Sequence, residues 1–229
     1  MSLFGEIVEP GSRTSWEDWD DPSMENNTPE LKWPNNLNIP DEIDLFIIFD
    51  GKRITEAVQI RPQHSLQLVA TVKDIGLELY KLRRQKAFIC LLKDYNFLLT
   101  TDIVELLRVF LEKSEEVLVL VNRPISDYYS NTNLCHSCIV RTLCTTITPE
   151  IDLELNFPKL EQPNIISGVA AGVVTLREHL DLPAKAVIYY VECSENYQMA
   201  GLFHFLQKIN VYYDMHAMPS NLINSNLYI

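Results

Sequence analysis

The chain has 229 residues, 47% of them hydrophobic and 22% charged, and a formal net charge of -12. That balance fits one large or two small globular domains. Acidity of this size excludes nucleic acid as a main partner, because a polyanion must be neutralised by cations. No apolar run reaches the roughly 18 residues that span a bilayer, which argues against membrane insertion.

The amino terminus, MSLFGEIVEP, lacks the basic segment and long apolar core of a secretion signal. It places the protein in the cytoplasm, with the nucleus as a second compartment. The five cysteines are then expected to be reduced thiols. Residues 1–40 read as an acidic, proline-rich, flexible N-terminal arm, partly disordered. Eight acids and one base fall in the first 30 residues, a net -7 of the total -12. Pro10, Pro22, Pro29, Pro34 and Pro40 deny it regular structure. The apolar start LFGEIV could still dock as a short strand.

An α/β domain is expected over 41–213. DLFIIFD (44–50) predicts a buried strand ended by Asp50-Gly51. Residues 63–84 read as a helix, with Leu66, Val69, Ala70 and Lys73 at helical spacing. KAFICLL (86–92) predicts the next strand. Thr101-Asp102 is expected to cap a helix whose core stripe is Ile103, Leu106, Leu107, Phe110 and Leu111, with Glu105 as a capping-box partner. EVLVLV (116–121) predicts a third strand, followed by the loop around SDYYSNTN. IVRTLCTTI leaves strand and short helix both open. LEQPNIIS reads as a loop into a helix capped by Ser167, AKAVIYYVE (184–192) as a strand, and Ser194 as the cap of a last helix. Apolar strands alternating with amphipathic helices imply a mostly parallel sheet flanked by helices on both faces.

Signatures of catalysis are sparse. The sequence contains no GxGxxG, GxxxxGK[ST] or GxSxG. Cys135 and Cys138 have a zinc-like spacing, but a zinc site needs four placed donors, and Cys135, His136, Cys138 and Cys144 would all come from one short stretch. Reduced thiols near a loop are the better reading, so neither a metal nor a cofactor is expected. The histidines are scattered, and His204, on an apolar helix face, reads as packed. An α/β enzyme of nucleosidase or hydrolase type would need convergent polar groups at the carboxyl ends of the strands, near Asp50, Lys93 or Glu192. A filled, apolar crevice there would instead favour binding.

Two stretches suggest contact with other proteins. In GVAAG, Gly168, Ala171 and Gly172 with Thr175 make a ridge of small residues. It suits tight helix-to-sheet packing or, alternatively, a subunit interface. The ending SNLYI sets Leu227, Tyr228 and Ile229 at the tip of a flexible C-terminal tail, 214–229. Leu227 and the Tyr228 ring offer apolar area, the phenol offers one directional bond, and the terminal carboxylate offers a charge for a lysine. A tail folded back on its own domain is the structural alternative.

LEQPNIISGVAAGVV, LPAKAVIYYVEC, NRPISDYYSN, LFGEIVEP and the SNLYI ending together resemble the proteasome core-particle α-ring assembly chaperones. The resemblance implies a non-enzymatic chaperone with a purine-phosphorylase-like α/β fold, paired as a heterodimer with a second, related proteasome assembly chaperone. It implies binding to the outer face of the forming ring of proteasome core α subunits. There the chaperone would promote ring assembly and block off-pathway dimers and premature activator binding. The family's hydrophobic-Tyr-any motif falls on Leu227, Tyr228 and Ile229. An adaptor for another ring-shaped partner is a third reading.

Overall fold

The computed structural model describes residues 31–34, 37–57, 66–82, 86–130, 138–148 and 157–191. The elements run β1 (Ile43–Asp50), α1 (Lys52–Ala57), β2 (Leu66–Val72), β3 (Leu77–Leu82), β4 (Ala87–Leu92), α2 (Thr100–Lys113), β5 (Ser114–Pro124), β6 (Cys138–Cys144), α3 (Val169–His179) and β7 (Ala184–Val191). The seven strands among the described residues form one mixed sheet in the order β2-β3-β4-β1-β5-β7-β6.

The centre of the sheet is parallel: β1 pairs with β4 and β5, and β5 pairs with β7. Antiparallel strands flank it, β3 and β2 on one side and β6 on the other. The central strands are apolar on both faces, and every residue of β4 and β7 is buried. One face packs Phe46, Ile48, Phe88, Val119 and Ile188 against α2 and α3. The other packs Ile47, Phe49, Ile89 and Leu120 with Ile54 of α1. Helices thus cover both faces, as the strand composition requires.

The largest departure from expectation lies in residues 63–84, which form no helix where they are described. Residues 66–82 are the hairpin β2–β3, closed by a short 3-10 turn and by Gly76 at φ 56. The pairing slips between Leu68 and Ala70. A bulge adds one residue and breaks the two-residue alternation. Leu66 packs on the α1 face, whereas after the slip Ala70 and Val72 pack on the α2–α3 face, so the buried residues of β2 do not keep to one alternating set. β3 shows the strand period more plainly, with Leu77 and Leu79 on one core face and Tyr80 and Leu82 on the other.

The stripe predicted for α2 is buried in full. Its cap is not the expected one, since Leu99 precedes the helix and no side chain caps it. The chain enters instead through a 3-10 turn, Phe97–Leu99, capped by the Asn96 side chain, which accepts the Leu98 N–H. The ambiguous 138–144 stretch is strand β6. One edge of β6 is occupied by the 157–160 segment: Thr142 N–H donates to Pro158 O (2.9 Å) and Leu160 N–H to Thr142 O (2.8 Å). Residues 31–34 and 37–40, inside the span read as arm, contain no helix or strand. Trp33 nevertheless docks on α2, its indole N–H donating to Leu106 O at 2.7 Å and its ring meeting Phe110 edge-on.

Arg177 of α3 is fully buried and has no carboxylate partner among the described residues. Its guanidinium donates to five carbonyl contacts on four residues, Leu111, Ser114, Glu115 and Pro183. Leu111 and Ser114 lie at the carboxyl end of α2, where unpaired carbonyls concentrate negative potential. Burial lowers the Arg177 pKa to about 10, so the charge persists at neutral pH.

Candidate functional site

Leu227, Tyr228 and Ile229 lie outside the described residues, as do Ser194, His204, Glu192 and the LFGEIV start. The residues that do converge lie at the carboxyl ends of β1, β4 and β5, where the connection after β1 runs to α1 on one face of the sheet and the connection after β4 runs to α2 on the other. In open α/β sheets such a switch point is where crevices form.

Asp50 ends β1 there and is 3% exposed. Its Oδ1 accepts the Tyr95 hydroxyl at 2.8 Å, and its Oδ2 accepts the Ala170 backbone N–H at 3.1 Å. The Tyr95 oxygen in turn accepts the Val169 N–H at 3.1 Å. Together these two side chains satisfy the first N–H groups of α3. Ser167, the expected cap, makes no such bond; its carbonyl accepts Arg123 at 2.8 Å. Burial pushes the Asp50 carboxyl above its ordinary 3.8, opposed by the Tyr95 and Ala170 bonds and by the nearby Arg123 charge. Burial also pushes the Tyr95 phenol up, so it remains a donor.

Gly168 precedes α3 at φ 77, a left-handed conformation. A Cβ there would stand 2.8 Å from the Tyr95 oxygen and 3.2 Å from Phe97. A Cβ on Gly172 would meet Val104 of α2 at 2.7 Å. Gly172 therefore allows a close approach of α3 to α2 inside the chain, where the ridge was read as packing on the sheet or, alternatively, as a subunit interface. Ala171 is half-buried.

A cleft of about 160 Å³ opens beside Asp50, bounded by Lys52, Lys93, Asp94, Phe97, Asn122 and Arg123. Lys93 is ion-paired with Glu78. The Arg123 guanidinium lies over the Phe97 ring, 5.7 Å from its centroid. The two loops quoted for the family resemblance meet at this end of the sheet. Asn164 accepts the Tyr129 N–H (2.8 Å) and donates to Tyr129 O (2.9 Å). Glu161 accepts Arg141 Nε at 2.8 Å and also the Tyr128 hydroxyl. The pinned loop leaves Ile165 87% exposed.

Both Asp50 oxygens are committed to donors, and Lys93 is committed to Glu78. Cys138 and Cys144 stand at opposite ends of β6. A strand rising about 3.3 Å per residue keeps them about 20 Å apart, too far to share one metal; Cys135 and His136 lie outside the described residues. Sequence reasoning read Asp50 as a strand end and as a position where an enzyme's polar groups would converge, not as the cap of α3. The signal for its role was an acid closing the apolar run from Leu45 to Phe49.

No protein-family model and no curated protein matches the chain by sequence. Solved structures do match. PbaA of Pyrococcus furiosus, described as an archaeal homolog of proteasome-assembly chaperone, aligns at TM-score 0.57 and 14% identity, over 79% of this chain and 88% of that one. The chain has the PbaA fold. A Thermoplasma acidophilum protein of unknown function aligns at TM-score 0.55 and 12% identity, covering 75% and 77% of the two chains. A Mycobacterium tuberculosis protein of unknown function aligns at 0.52 and 10%, covering 82% and 77%.

Proposed function

We propose that the chain is a proteasome assembly chaperone that acts by binding, as a counterpart of proteasome assembly chaperone 1. In this reading it pairs with a second related chain, proteasome assembly chaperone 2, on the outer face of the proteasome core α-ring. It promotes ring assembly and blocks off-pathway dimers and premature activator binding. Residues 41–213 form the chaperone domain, 1–40 an acidic arm, and 214–229 a tail that reaches a pocket between α subunits through Leu227, Tyr228 and Ile229. The protein works in the cytoplasm, with the nucleus as a second site.

The observation that carries this reading is the coincidence of a PbaA-like fold with a hydrophobic-Tyr-any ending. The internal commitments of Asp50 and Lys93 also support binding over hydrolytic or nucleosidase chemistry. A three-residue plug binds weakly alone; a second contact from the domain or the partner's tail raises its effective concentration, so that modest contacts sum to a stable cap. Loss of one contact then releases the whole.

The test is a titration of immobilised proteasome core α subunits with the heterodimer. Removing Leu227–Ile229, or Tyr228→Ala, is expected to leave folding and heterodimer formation unchanged and to weaken ring binding by about tenfold or more. Equal ring affinity with and without the last three residues overturns the tail's role.

A further inference from the structure

Residues 31–34 and 37–39 lie against the α2–α3 side of the core in an alternating pattern. Leu31, Trp33, Leu37 and Ile39 are half-buried and pack on that core, while Lys32, Pro34 and Asn38 between them are exposed. This is the two-residue period of a strand. Yet among the described residues no backbone–backbone hydrogen bond joins the segment to a strand or a helix. Its one such bond is internal, from Leu37 N–H to Pro34 O at 3.2 Å. The 157–160 segment, by contrast, is tied to β6 through its backbone.

A tryptophan seat holds the segment instead. Trp33 donates its indole N–H to Leu106 O at 2.7 Å and meets Phe110 edge-on, with ring centroids 5.5 Å apart. Phe110 in turn packs against Phe46 of β1 and Phe88 of β4, at 5.4 and 5.5 Å. The three phenylalanines are 0–1% exposed; Trp33 is the partly exposed member of the four. Leu106 lies inside α2, where its carbonyl serves the helix and offers Trp33 its second lone pair. Just beyond the segment, Lys113 of α2 reaches Asp41 at 3.3 Å, but the Asp41 side chain is fully exposed, and such a pair contributes little.

Side chains thus do most of the holding, and they cover an aromatic seat. Segments with few backbone bonds open ahead of global unfolding. The seat's chemistry is read from its occupant: an extended stretch, apolar at alternate positions, with one aromatic ring that gives an N–H to Leu106 O. We propose that residues 31–39 are a releasable strap, an internal ligand that closes the α2 seat in the free chain and yields it to an extended, tryptophan-bearing apolar segment of a binding partner. The seat works independently of Leu227–Ile229.

The test uses the full chain and a fluorescent peptide of residues 29–41, read by anisotropy. An internal competitor lowers apparent affinity by the fraction of chains in which it is lifted. The peptide should therefore bind the parent chain weakly and bind Trp33→Ala about tenfold more tightly. A peptide with alanine in place of its tryptophan should lose this binding. Lys113→Ala cuts the exposed ion pair, leaves the rings in place and should tighten peptide binding about twofold to fivefold. In thermal melts Trp33→Ala should keep a cooperative transition at a lower temperature. Removing Leu227–Ile229 should leave peptide binding unchanged, so failure here and failure of the tail reading are distinguishable. Three results overturn the proposal: equal peptide affinity in the parent and Trp33→Ala, equal binding of the alanine peptide, or a Trp33→Ala chain that does not fold, since the segment is then an inseparable part of the core.

Discussion

Asp50 accepts the backbone N–H of Ala170 at 3.1 Å, across 120 residues of sequence. A strand end thereby supplies the cap that the helix's own sequence does not. Tyr95 completes the arrangement by donating to the same carboxylate and accepting from Val169. The β1 terminus, the loop after β4 and the start of α3 are therefore fixed to one another by two side chains.

Removing that carboxylate should be costly. Asp50→Ala is expected to lower stability by about 1–3 kcal/mol, the range for losing a helix cap and stranding buried donors. Urea unfolding followed by circular dichroism measures it; a loss below a few tenths of a kcal/mol would show that the cap is dispensable.

The same group makes stability depend on pH. The folded Asp50 pKa lies above its ordinary 3.8, so the folded state binds the proton more tightly than the unfolded one. Its contribution is complete below the unfolded value and is lost as pH rises through the folded one. The stability of the parent chain relative to Asp50→Asn should therefore decline as pH climbs from about 3.8 through the weakly acidic range. A pH-independent difference contradicts this.

Gly172→Ala places a methyl group 2.7 Å from Val104 Cγ2. Alanine's helix propensity favours the change by about 1 kcal/mol, but overpacking between two helices costs about 1–3 kcal/mol. Net destabilisation is expected, and Val104→Ala in the same chain should relieve most of it. A double-mutant cycle reads the coupling; additive effects would place the two helices further apart than described.

Arg177→Ala strips donors from the carbonyls of Leu111, Ser114, Glu115 and Pro183 and leaves a cavity. The expected loss is about 3 kcal/mol or more. Arg177→Lys should recover only part of it, because an ammonium cannot reach all four residues at once. Thermal melts of the two variants give the order.

The parallel core was legible because long apolar runs such as DLFIIFD and AKAVIYYVE have few other uses. The α2 stripe was legible because Ile103 through Leu111 repeat at one helical period. Residues 66–82 misled because a bulge in β2 offset the alternation by one position. The α3 cap was hidden for a different reason: Ser167 is the right residue type at nearly the right place, and only tertiary structure brings Asp50 within reach of Ala170. The Arg177 cage is equally non-local, since carbonyl acceptors have no side-chain signature. The cleft was partly visible, as Asp50 and Lys93 were named for their strand-end positions. Arg123, Asn122 and Ile165 acquire their setting only when the loops close on each other.

The short segment lying along β6 has a consequence for how molecules of this kind meet. An uncovered outer strand invites another chain to continue the ladder, and through it open-ended aggregation. Pro158 and Leu160 satisfy both backbone groups of Thr142 from outside, which interrupts any ladder extension at the middle of β6. Assembly is thereby steered away from ladder extension at this margin and toward contacts made by side chains and loops.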